Sequence, residues 1–100
     1  MAKIRCISVS DGLRASEAVA GLQDYQGRRH FIRVERDFLS QSNGGNYMPI
    51  GIVHVDLRSK AVLIELPHEA ETGANRLWVT QEQLDEPVEA FACPTMVRVG

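Results

Sequence analysis

One hundred residues, 44% of them hydrophobic and 24% charged, describe one ordinary globular domain spanning 1–100 and exclude disordered, fibrous and collagen-like chains. A net charge of −2 argues against general nucleic-acid binding, which relies on several cations that neutralise phosphate. The charge is uneven, however: residues 1–50 hold seven Lys/Arg against five Asp/Glu, and residues 51–100 hold four against eight.

Lys3 and Arg5 interrupt the apolar run at the start, so no secretory signal is expected. No segment approaches the roughly 20 apolar residues of a membrane-spanning helix. Cys6 and Cys93 belong to no Cys-x-x-Cys pair, which fits two thiols in a reducing cytoplasm; a bridge between the terminal segments is the alternative. A soluble, cytoplasmic protein is expected.

KIRCISV, residues 3–9, is short and β-branched and reads as a strand. Its apolar residues change face between Cys6 and Ile7, which predicts a bulge or burial on both sides. In the segment 13–25, Ala15, Ala18, Val19, Leu22 and Tyr25 fit helical spacing, while Ala18, Ala20 and Leu22 also alternate. The Asp24-x-x-Gly27 turn and the period-two run after it favour a hairpin with 18–23 as its first strand. A helix near 13–25 is the alternative.

The run Arg29–Phe38 predicts a half-buried antiparallel strand, with His30, Ile32, Val34, Arg36 and Phe38 on one face and Phe31, Arg33, Glu35 and Asp37 on the other. SQSNGGNY, residues 40–47, reads as a polar loop. Residues 48–67 predict a hairpin turning at Leu57-Arg58-Ser59-Lys60. Pairing Asp56 with Ala61 sets Val55 against Val62 and Val53 against Ile64, an inner face that Leu66 extends. The outer face then carries Ile52, His54 and Asp56 with Leu63 and Glu65. Pro67 ends that strand and HEAETGAN makes a loop. RLWV resumes the sheet, TQEQL predicts a short 3₁₀ turn, and closing strands follow near Val88–Ala90 and in TMVRVG, the latter pairing with KIRCISV.

Trp78-Val79, the turn Thr80-Gln81-Glu82-Gln83 and then Leu84 resemble the closing end of bacterial Src-homology-3-like barrels. That resemblance implies a small barrel and, loosely, a binding role. Leu77 stands where a glycine commonly precedes the tryptophan, and no aromatic-acidic peptide-binding signature lies near the start. Together these readings predict a mainly β chain, a small antiparallel barrel of five to seven strands, with an α+β arrangement as the alternative.

No catalytic set, metal site or cofactor is expected. His68-Glu69 begins the metalloprotease pattern His-Glu-x-x-His, but position 72 is Thr and the pair follows Pro67 in a loop. His54, Asp56 and Glu65 share a hairpin face that could hold a divalent metal, although an exposed, salt-linked face is the simpler reading. Gly44-Gly45 lacks the Gly-Lys-Ser/Thr of a phosphate cradle. Neither cysteine sits in a nucleophile motif.

The candidate binding residues are Arg28, Arg29, Phe31 and Arg33, on a basic strand around one ring, and Tyr47 beside the glycine loop. Tyr25 and Trp78 are further groove candidates, with Trp78 expected in the core. A non-catalytic module binding a protein partner, or a second copy of itself, is the favoured function; single-stranded nucleic acid on the basic strand is the alternative, and a small metal-dependent enzyme stands third.

Overall fold

The computed structural model describes residues 2–42 and 44–85. Nine strands occur among them: β1 Lys3–Arg5, β2 Ser8–Asp11, β3 Glu17–Gln23, β4 Arg29–Glu35, β5 Ser40–Ser42, β6 Gly45–Pro49, β7 Gly51–Asp56, β8 Ala61–Glu65 and β9 Arg76–Thr80. They form three antiparallel three-stranded sheets, ordered β1-β6-β5, β2-β3-β4 and β7-β8-β9. The chain is mainly β, as its periodicity predicts. The region 13–25 contributes strand β3 and not a helix.

The face change in KIRCISV proves larger than a bulge. The chain leaves one sheet after Arg5 and enters the next at Ser8, so the predicted single strand is two. Cys6 donates its amide to the Asn46 carbonyl on one side (2.8 Å), and Ile7 donates to Gly21 on the other (2.8 Å). Cys6 is therefore buried while Ile7 faces out.

In β3 and β4 the alternation holds. Ala18, Ala20 and Leu22 pair with Val34, Ile32 and His30, and all six are buried. The predicted strand to Phe38 stops at Glu35, because Arg36–Phe38 wind into a 3₁₀ turn in which Leu39 N–H reaches back to the Arg36 carbonyl (3.0 Å). Arg36 and Phe38 are consequently exposed and leave the buried face assigned to them. The polar stretch 40–47 is a hairpin, β5 against β6, whose turn contains Gly44 at φ 77. Positive φ suits glycine because it has no Cβ to clash.

The β7–β8 hairpin keeps the predicted register at Asp56↔Ala61 and Val55↔Val62, then slips. A bulge at Val53 sets Ile52, not Val53, opposite Ile64. One extra residue inverts the parity of everything before it, so Ile52 turns toward the core and Val53 is 38% exposed. Asp56 stabilises the connecting turn by accepting the Arg58 amide (3.0 Å), and Lys60 there has φ 64.

A shared core joins the sheets. Ile4, Leu22, Ile32, Met48, Val62, Ile64 and Val79 are its largest fully buried side chains, each stabilising the fold by roughly 1.5–3 kcal/mol through removal from water. After β9, Gln81–Gln83 form the predicted 3₁₀ turn, with Gln83 Oε1 accepting the Thr80 amide at 2.9 Å. Leu84 is then buried and bridges to Ile4. Backbone hydrogen bonds between the sheets are isolated ones, so the described residues build three packed sheets and not a closed barrel. The strands expected near Val88–Ala90 and in TMVRVG, and Cys93, lie outside the described residues. No helix among the described residues is long and apolar enough to cross a membrane.

Candidate functional site

Strand alternation delivers a cationic row on the outer face of β4. Its burial runs exposed, buried, exposed throughout, so Arg29, Phe31, Arg33 and Glu35 project outward while His30, Ile32 and Val34 point in. Phe31 is 37% exposed. Its ring covers Gly21 on the neighbouring strand: a Cβ built there would lie 3.2 Å from Phe31 Cε1 and would collide with Ser8 Oγ. The missing side chain at Gly21 lets the ring lie over the neighbouring strand, at the row position between Arg29 and Arg33.

Among the described residues, Arg28, Arg29 and Arg33 make no ion pair. Two acids of the same sheet are committed elsewhere: Glu35 pairs with Arg14 at 3.4 Å, and Asp11 with Arg36. Of the other acids that could have neutralised the row, Glu86 and Glu89 lie outside the described residues. Tyr47 is not part of this face. It is half-buried in β6, opposite Arg5 and Ser40 in another sheet.

A second feature lies at the end of this sheet. The turn from Asp24 to Arg28 meets β9, with Tyr25 donating its amide to the Trp78 carbonyl (2.6 Å) and Gln83 donating its side-chain amide to the Gln23 carbonyl (2.7 Å). Between them opens a cleft of about 460 Å³ whose lining includes Tyr25, His30, Asp56, Arg76 and Trp78. Trp78 does not lie in the core. Leu77 and Val79 on either side are buried, so period two drives the indole outward to 41% exposure. It stands edge-on to His54, ring centroids 6.2 Å apart. Tyr25 is also exposed.

His30 anchors the cleft. It is the one buried polar side chain among the described residues, with Nε2 2.9 Å from Asp24 Oδ2 and Nδ1 2.7 Å from Thr72 Oγ1. It thus ties the β3–β4 turn to the 66–75 loop, whose Glu71 amide also donates to the Phe31 carbonyl (2.8 Å). Asp24 further accepts the amides of Gln26 and Arg28 (2.9 Å each). Burial pushes the Asp24 carboxyl up, but the His30 hydrogen bond, these two amides and the His30 charge outweigh it and hold its pKa below the usual value. The period-two pattern indicates that His30 is inward; its partners, 6 and 42 residues away, have no local signal.

The hairpin residues His54, Asp56 and Glu65 do not converge. The Val53 bulge leaves His54 opposite Leu63 and Glu65 opposite Gly51. Glu65 lies 3.8 Å from Arg76 and Asp56 serves its turn. No group of three His, Cys, Asp or Glu side chains among the described residues is arranged to hold a metal ion. His68 stacks on Phe38 at 6.2 Å, away from the cleft lining. Cys6 is buried, and burial pushes its thiol up to about 11, which keeps it protonated and poorly nucleophilic. No protein-family model matches this chain, and no curated protein or solved structure does either.

Proposed function

We propose that this chain is a non-catalytic interaction module whose partner is a protein, engaged through the outer face of β4. The observation that carries this reading is the row Arg29, Phe31, Arg33, with Arg28 beside it, whose arginines make no ion pair among the described residues. Arginines beside a part-exposed ring suit an acidic, apolar-bearing protein surface, since arginine and aromatic side chains supply much of the binding energy at protein interfaces. The apolar Ile7, exposed beside Gly21 and Phe31, extends the face beyond charge alone. A kinship with Src-homology-3-like barrels goes with this reading, supported by Trp78-Val79, the 3₁₀ turn Gln81–Gln83 and buried Leu84 in sequence. So does a cytoplasmic setting, for which the buried Cys6 thiol is the support.

The same arginines and ring favour a second reading, single-stranded nucleic acid, with phosphates on the arginines and a base on Phe31. An affinity pull-down from native lysate, split into nuclease-treated and untreated halves, separates the two. A specific protein that survives nuclease is the expected result. Recovery that vanishes with nuclease places nucleic acid first.

A further inference from the structure

We propose that the arginines opening β4 dock into the Trp78 cleft of a second copy of this chain, so that the two copies form a symmetric dimer. The inference rests on the reading of β4 as a protein-binding face and names the partner.

The charge pattern supports it from both sides. Arg28 and Arg29 are exposed cations with no ion pair among the described residues. In the cleft, Asp56 likewise makes no ion pair among the described residues, and Arg76 there leans toward Glu65 at 3.8 Å. The rings of Trp78 and Tyr25 are exposed, and no cation of the chain's own described residues stacks on them. A planar guanidinium can lie over an indole face while its N–H groups reach a carboxylate, a combination that lysine does not reproduce.

Position supplies the symmetry. The turn that gives Tyr25 to the cleft is followed at once by Arg28 and Arg29, so donor and receptor adjoin on one chain. When a patch and its complement adjoin, a two-fold axis between them lets each copy give and receive the same contact, and assembly closes at two.

Sedimentation velocity, together with emission from Trp78, the chain's single tryptophan, tests this over about a hundredfold range of concentration. The wild type is expected to dimerise, with a concentration-dependent Trp78 emission that high salt suppresses. Arg29→Glu and Asp56→Lys should each be monomeric, and their equimolar mixture should dimerise again, since the mixed pair has one native and one swapped contact. Asp56→Asn keeps an oxygen for the Arg58 amide and should still weaken association about tenfold, which separates charge from turn integrity. A wild type that stays monomeric, or a mixture that does not recover, overturns the dimer. If such a monomer still captures another protein through Arg29 and Arg33, the protein-binding reading stands and only self-association falls; loss of that capture removes both.

Discussion

At residue scale the pair of buried His30 and half-buried Asp24 governs how the β3–β4 turn is held, and its chemistry sets a pH dependence. The Asp24 pKa is lower in the folded chain than its usual value, so its contribution is fully present above the unfolded pKa and fades as pH falls through the folded one. Urea denaturation followed through Trp78 emission should therefore show stability falling on acidification below about pH 4. Asp24→Asn should lower stability at neutral pH and flatten that part of the profile; an unchanged slope contradicts the assignment. The sequence disclosed half of this. Alternation placed His30 on the inner face, but nothing local indicated that Thr72 would supply the second hydrogen bond across 42 residues.

Individual strands were legible wherever one face is buried and the other wet. β4 follows its alternation throughout, and 18–23 reads as strand because Ala18, Ala20 and Leu22 share one inward face. Illegible were the features set by a single residue. The Val53 bulge inverts the face of the strand before it, so that Ile52 and not Val53 turns inward, and no glycine or proline stands at Val53 itself to announce it. Trp78 is a different case: alternation with Leu77 and Val79 already pointed it outward, against the general tendency of tryptophan toward burial. Trp78→Ala should accordingly cost no more than about 1 kcal/mol in urea denaturation. Ile64→Ala, in the core opposite Ile52, should cost about 2–5 kcal/mol. Equal losses would place Trp78 in the core after all. At Gly21 an added Cβ must push aside Phe31 and Ser8. Gly21→Ala should destabilise by about 1–3 kcal/mol through overpacking, and should also weaken partner capture by displacing the ring. Capture unaffected by that change would mean that Phe31 is not part of the contact.

At the scale of the whole molecule, the described residues form three small sheets that share one core and expose two surfaces of different character near a single turn: a cationic face around Phe31 and an aromatic cleft with carboxylates. The mainly β class followed from periodicity. The division into three sheets did not, because it depends on where the chain leaves one ladder for another, at Cys6-Ile7, in the turn 36–39 and at Ile50. The central claim is that the β4 face binds protein. Its most direct test is capture from nuclease-treated lysate by the wild type and by the Arg29→Glu/Arg33→Glu double variant, both verified as folded by thermal unfolding. The account predicts a specific protein on the wild type and its loss on the variant, because reversing two exposed charges changes recognition while leaving the buried face of β4 intact. Equal capture by both proteins would contradict it.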